Sequence, residues 1–302
     1  PHRIGRYEVV SELGRGAMGT VYKARDPVLD RLVALKTMSE ALLVEEEMQE
    51  RFYREARSAA GLQHVNIVTV FDLGEVDGAP FIAMELLDGA SLDRVVSVFG
   101  PLRPSRVVHI LYHVAEALTE AHEIGLIHRD IKPANILLCR QGGIYDFPKV
   151  VDFGLVKDLE RGTDARLTQA NVVQGTPLYL SPEAISDPDA VDARSDLYSL
   201  GAVGYYLLTG THVFTGKTLV EVCSPHLHSA PESPSQRLGA PVPSDLEELL
   251  LACLAKDAAA RPFAAAVLRD ALAALESAGS WTPTAARTWW THRNAKGSGR
   301  EC

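Results

Sequence analysis

The hydrophobic pattern changes character once along the chain. Up to about residue 87, apolar residues come in short runs of strand length. Tyr7-Glu8-Val9-Val10 and Thr20-Val21-Tyr22-Lys23-Ala24 flank a glycine-rich turn, and Leu32-Val33-Ala34-Leu35-Lys36 follows the Asp26-Pro27 break. Runs at 67–73 and 80–87 are separated by the turn signal Asp77-Gly78. Between the two groups lies a charged stretch, 45–60, in which Met48, Phe52, Ala56 and Ala59 recur at helical spacing. One helix among several strands predicts a small, mostly antiparallel lobe.

Beyond Gly89 the helical period takes over, as at Ile110, Leu111, Val114, Leu118 and Ala121. Residues 197–208 are apolar almost all round, which predicts a helix buried on every side. Ser244 with Glu247 reads as a capping box ahead of Leu249, Leu250 and Leu251. Residues 145–153 form a strand-like run interrupted by Pro148, and the Pro/Ser-rich stretch 224–244 predicts a long surface connection. The expected architecture is therefore α+β and bilobal. A small antiparallel β lobe with one helix (7–87) precedes a larger, mainly helical lobe (88–275), with a tail at 276–302. A cleft between two lobes is a common place for a ligand. In the tail, Trp281, Trp289 and Trp290 are expected to dock on the helical lobe, because clustered tryptophans rarely stay in water.

Composition narrows the function classes. The 302 residues are 46% hydrophobic and 23% charged, ordinary globular values with ample material for a core. A formal net charge of −9 argues against a nucleic-acid binder, which needs a basic face. Cys139, Cys223, Cys253 and Cys302 are far apart with no C-x-x-C pair, and read as free thiols of a reducing compartment. No run approaches the roughly 20 apolar residues that span a bilayer, and no apolar signal segment opens the chain. The expected location is the cytoplasm, or the cytoplasmic face of a membrane if a tether lies outside this chain. A start at Pro1 reads as a processed or excised piece of a longer protein.

Gly14, Gly16 and Gly19 have the G-x-G-x-x-G spacing that dinucleotide-binding folds also carry. There a helix starts within the glycines; here Thr20-Val21-Tyr22-Lys23 continues as an alternating strand, so a hairpin that closes backbone N–H groups over phosphate oxygens is predicted. Lys36 ends the following strand, and Glu55, on the next helix, is the carboxylate expected to hold its ammonium. His128-Arg129-Asp130-Ile131-Lys132-Pro133-Ala134-Asn135 then packs a carboxylate, cations and an amide ahead of the apolar run Ile136-Leu137-Leu138. Asp152-Phe153-Gly154 follows the strand Lys149-Val150-Val151. Phosphoryl transfer asks for these groups: a carboxylate to accept a hydroxyl proton, an Asp and an Asn for a metal on the phosphates, and cations where charge spreads.

With those motifs in this order, the chain from about Tyr7 to about Leu275 resembles a eukaryotic-type (Hanks-type) serine/threonine protein kinase domain of the bacterial branch. The loop tip Gly16-Ala17-Met18-Gly19 is similar to that branch in particular. The resemblance implies ATP and Mg²⁺ (with Mn²⁺ as an alternative) as cofactors and protein Ser/Thr hydroxyls as acceptors. It implies that Gly14, Gly16 and Gly19 cover the phosphates and that Lys36, paired with Glu55, reaches the α- and β-phosphates. Asp130 would orient and deprotonate the acceptor, Lys132 would steady the γ-phosphate, and Asn135 and Asp152 would ligate the metal. Leu13, Val21, Ala34 and Leu137 would sandwich adenine, with Met84 at the back of the pocket and backbone groups of Glu85 and Leu87 at its edge.

Gly175-Thr176-Pro177-Leu178-Tyr179-Leu180-Ser181-Pro182-Glu183 resembles the end of a kinase activation segment, with Thr176 facing Asp130 and Lys132. Ser181 stands where many relatives have alanine. Glu183 would pair with Arg261, and Asp196 would brace the catalytic loop from the buried helix. Arg129 beside Asp130 is the family mark of a loop ordered by phosphate, and Thr168 is the expected autophosphorylation site. A homodimer is known among bacterial relatives and would serve that reaction. A non-catalytic scaffold would have lost Lys36, Asp130 or Asp152, and none is lost. A small-molecule phosphotransferase of related fold would lack the 175–183 segment and the long helical region after it.

Overall fold

Alternation along the early strands sorts their side chains onto two faces. Val33, Leu35, Phe81 and Ala83 pack with Tyr7 and Ala24 on one. Met38 and Ile82 turn to the other, against Phe52 and Ala56 of a helix. In this computed structural model, which describes residues 2–16, 19–39, 42–43, 46–153 and 177–294 (without the side chains of 46, 47, 51, 54, 55 and 292–294), those strands form a six-stranded antiparallel sheet. They are β1 (Arg3–Ile4), β2 (Tyr7–Gly16), β3 (Gly19–Asp26), β4 (Arg31–Met38), β5 (Val70–Val76) and β6 (Ala79–Glu85), in the order β1-β2-β3-β4-β6-β5. The helix is α1 (Glu46–Ala60). Because Lys36 shares a face with Ala34 and Met38, its strand aims it toward α1 and the cleft.

After the connection at 86–88 the chain forms β7 (Gly89–Ser91), α2 (Leu92–Phe99) and α3 (Pro104–Glu123). The hairpin β8 (Ile136–Gln141) and β9 (Ile144–Val150) completes a second small sheet, ordered β7-β8-β9. The remaining helices are α4 (Pro182–Ser186), α5 (Ala193–Thr209), α6 (Leu219–His228), α7 (Pro234–Leu238), α8 (Ser244–Cys253), α9 (Ala265–Ala274) and α10 (Pro283–Asn294). The expected all-round apolar helix is α5, buried along nearly its whole length. The Asp192 side chain accepts from Arg194 N at its start, and left-handed Gly210 stops it. Leu197, Leu200 and Leu207 share one core with α3, α8 and α9, as well as with Phe153 and the hairpin residues Ile136 and Val150.

Two expectations change, and the expected docking of the tail holds. Ser244 makes no side-chain cap; Pro243 occupies the N-cap position of α8. The Glu247 carboxylate instead accepts from Ser235 N at 2.6 Å and from Ser235 Oγ at 3.0 Å, so it ties α8 to α7. The capping box belongs to α7, where Ser233 and Gln236 satisfy each other's backbone N–H groups. The stretch 224–244 is consequently not one loop, since it carries the end of α6 and all of α7. The tail folds as α10 along the helical lobe, with Trp289 and Trp290 packed against its core.

Candidate active site

The glycine-rich turn is a hairpin: β2 and β3 pair down to Gly16 opposite Gly19, with residues 17 and 18 outside the described set. At Gly19, φ is +156° and a Cβ would lie 1.7 Å from the Thr37 carbonyl oxygen, so no other residue fits without moving β4. A Cβ at Gly14 or Gly16 would meet nothing within 4 Å. Packing therefore does not require glycine there, whereas an approaching phosphate would.

Lys36 leaves β4 only 8% exposed, and its Nζ lies 2.8 Å from Asp152 Oδ1. Asp152 follows β9 with φ +61°, a left-handed conformation rare for non-glycine residues. Its neighbour Phe153 anchors that turn, buried in the main core with Leu62 and Ile67 and 4.5 Å from the His128 ring. Burial of one side chain thus presents the other to the cleft. Glu55 lies within α1, and its side chain is outside the described residues.

The segment from α3 to β8 is held from below. Asp196 of α5, 1% exposed, accepts from His128 N and Arg129 N at 2.8 Å each and meets His122 Nε2 at 2.8 Å. These bonds fix a second left-handed residue, Arg129, at φ +64°. The His128 ring bridges two loops. Asp130 N donates to Nδ1 at 3.2 Å, and Nε2 lies 3.1 Å from the Val151 carbonyl. The neutral tautomer protonated at Nε2 satisfies both contacts. Above this floor, Lys132 Nζ and Asn135 Nδ2 converge on Asp130 Oδ2 at 2.7 and 2.9 Å, and Asn135 Nδ2 also reaches the Asp130 carbonyl at 2.9 Å. With its amide nitrogen so used, Asn135 has its carbonyl oxygen as the atom that could accept a cation. Among the described residues no group of three or more His, Cys, Asp or Glu could hold a metal. A divalent ion on Asn135 and Asp152 would complete its shell with phosphate and water oxygens, as Mg²⁺ commonly does.

The cleft wall between the lobes is apolar. Strand register sets Ala34 beside Met84; Val21, Leu87 and Leu137 are half-buried, and Leu13 on β2 is 49% exposed. A cavity behind Met84 is bounded by Lys36, Ala56, Val68, Ile82 and Phe153. Glu85, at the end of β6, is pinned twice: its N–H donates to Thr69 O at 2.9 Å, and its Oε1 accepts from Thr69 N at 2.8 Å and from Lys149 Nζ at 2.6 Å. Lys149 is buried on β9 and also reaches the Ile67 carbonyl at 3.3 Å. Sequence reasoning passed over Lys149 as part of a strand. The available signal was a lone cation in an otherwise apolar run.

Glu183, in the first turn of α4, forms a bidentate pair with buried Arg261 at 2.7 and 2.8 Å and accepts from Ser195 Oγ at 2.6 Å. Burial alone would raise its pKa, but the hydrogen bonds from Arg261 and Ser195 prevail and hold it at about 2. Arg261 also donates to the Ala255, Arg194 and Lys256 carbonyls, so one guanidinium ties α4 to three points of the helical lobe. Thr168 and Thr176 lie outside the described residues.

This geometry has counterparts in known proteins. The protein kinase domain family matches residues 7–272. Serine/threonine-protein kinase pkn3 of Myxococcus xanthus is 40% identical over 90% of this chain and 50% of its own length. PknB of Mycobacterium leprae is 41% identical over 92% of this chain and 44% of its own. The chain thus spans about half the length of these curated relatives. Among solved structures, a double-mutant PknI kinase domain from Mycobacterium tuberculosis superposes with TM-score 0.70 at 31% identity, covering 92% of this chain and 97% of that one. No helix among the described residues is long and apolar enough to cross a membrane. The chain therefore belongs to the protein kinase family, in its bacterial serine/threonine branch.

Proposed function

We propose that this chain transfers the γ-phosphoryl group of ATP to serine and threonine hydroxyls of proteins, with Mg²⁺ as the working ion and Mn²⁺ as a substitute. The observation that carries this reading is the convergence of Lys132 and Asn135 on the Asp130 carboxylate, near a cleft in which Lys36 of one lobe meets Asp152 of the other. Asp130, oriented by those two donors, takes the acceptor's proton as its oxygen bonds to the γ-phosphorus. The bond from that phosphorus to the β,γ-bridging oxygen breaks, and ADP leaves. Lys132 offsets charge spreading over the transferring group, and Lys36 does the same on the α- and β-phosphates. Asn135 and Asp152 would hold the divalent ion, which would supply positive charge to the phosphate chain.

The apolar wall of Val21, Ala34, Met84 and Leu137 suits a flat base, and the Glu85 and Leu87 backbones supply its polar partners. Regulation follows from Arg129, beside Asp130, which would receive a phosphate on Thr168, added by a second copy of the chain. To test this, the chain is incubated with ATP and Mg²⁺ and its phosphate mapped by mass spectrometry. Phosphoserine or phosphothreonine, with Thr168 the first site filled, is the expected result. A fully active enzyme with unmodified Thr168 would remove the regulatory part. ATP bound without any transfer to protein would remove the kinase reading.

A further inference from the structure

Strand β9 carries a second buried cluster that the transfer reaction does not use. Asp146 is fully buried, and four donors converge on its carboxylate. Arg106 Nε and Nη2 lie at 2.7 Å each, Trp281 Nε1 lies at 2.9 Å, and Trp290 Nε1 completes the set. The guanidinium carbon of Arg106 sits 3.7 Å from the centre of the Trp289 ring. Asp146 occupies a bulge, because Cys139 pairs with Phe147 whereas Gln141 pairs with Ile144, leaving an extra residue on β9. Bulges re-aim side chains. With φ at +55°, Asp146 joins Arg129 and Asp152 among the left-handed residues, and such a conformation persists only where its surroundings over-determine it. Two of the four donors that do so come from the tail.

The same strand runs to the cleft. Three residues past Asp146, Lys149 holds the Glu85 side chain; three further on, Asp152 meets Lys36. The tail, in turn, lies beyond the family match at 7–272 and is seated by one face only, with Ala286 buried and Arg287, Thr288 and Thr291 exposed. A helix of twelve residues is marginal in water by itself, so the seat is what keeps α10 in place.

We propose that the 281–291 segment is a strap that positions the nucleotide site from behind. Seated on Asp146, it fixes β9, and through Lys149 it fixes the Glu85 backbone expected to face adenine, so that ATP binds more tightly although the strap never touches it. Trp281 and Trp290 are positioning residues in this scheme, which rests on the nucleotide reading of the cleft given above.

The test uses the whole chain and measures initial rates against ATP for the wild type, Trp281→Phe/Trp290→Phe and Asp146→Asn. The KM for ATP should rise about 3- to 10-fold, with kcat and the KM for a generic basic acceptor protein within about twofold. Lys149→Met should raise the ATP KM similarly and add little when combined with the tryptophan changes. An unchanged ATP KM, even with a lowered melting temperature, would make the strap merely structural and overturn the inference. If the variants do not fold, hydrogen exchange on the wild type decides. A non-hydrolysable ATP analogue with Mg²⁺ should slow exchange at both 144–150 and 283–291, because coupling is reciprocal. Unaltered exchange at 283–291 would equally overturn it. A wild type that binds no ATP at all would instead bring down the nucleotide reading on which the inference stands.

Discussion

Asp196 and Glu183 show how single carboxylates, neither facing the cleft, shape the residues that do. Buried Asp196 and half-buried Glu183 each meet donors that a negative charge satisfies well: two backbone N–H groups and His122 for Asp196, Arg261 and Ser195 for Glu183. Glu183 titrates at about 2 when folded, against an ordinary 4.5, so its contribution to stability is complete above pH about 4.5 and is lost as pH falls toward 2. Glu183→Gln should therefore unfold at lower urea than the wild type at neutral pH, and the gap between the two midpoints should narrow steadily from pH about 4.5 downward. A gap independent of pH would mean that the carboxylate's charge is not what holds Arg261. These residues were legible through the family resemblance and not through a local pattern, since Arg261 lies 78 positions from Glu183 and His128 lies 68 from Asp196. Lys149 and Asp146 were not: the partner of Lys149 is 64 positions away, and the tryptophan partners of Asp146 are 135 and 144 away. Such separations leave no local pattern.

At the scale of elements, α5 is the axis to which the helical lobe is fastened, and its glycines set how closely its neighbours approach. A Cβ on Gly201 would come within 2.6 Å of Cys253 Cβ, and one on Gly204 within 2.5 Å of Leu250 Cδ2 and 2.8 Å of Leu111 Cδ1. Alanine has the higher intrinsic helix propensity, so an exposed Gly→Ala change would stabilise a helix. Here overpacking outweighs it, and Gly201→Ala should destabilise the chain by about 1–3 kcal/mol in urea or thermal unfolding. A more stable variant would show that α8 yields easily. The period of the apolar residues predicted α1, α3 and α5 because each is long enough to repeat its face. It did not reveal α7, which has five residues. Nor could it tell that Glu247 turns away from its own helix, since a capping signature does not say whether a closer partner, here Ser235, stands across a loop.

For the molecule as a whole, the switch from strand period to helical period near residue 87 made the two lobes readable. The way they join was less so. The Lys36–Asp152 pair closes the cleft across 116 positions, while Lys149, Asn66 and Glu85 tie β9 to the small lobe with hydrogen bonds no motif records. The account stands or falls on whether this cleft moves a phosphoryl group onto protein. The most direct measurement follows label from γ-labelled ATP with Mg²⁺ into a generic basic protein and into the Asp130→Asn chain, with and without wild-type enzyme. The wild type should label serine and threonine on both acceptors. The Asp130→Asn chain alone should be slower by about 10²–10⁴ while still folding and binding ATP. Equal rates for the two chains, or no label on protein from a wild type that binds ATP, would contradict the assignment of Asp130 and of this cleft to phosphoryl transfer.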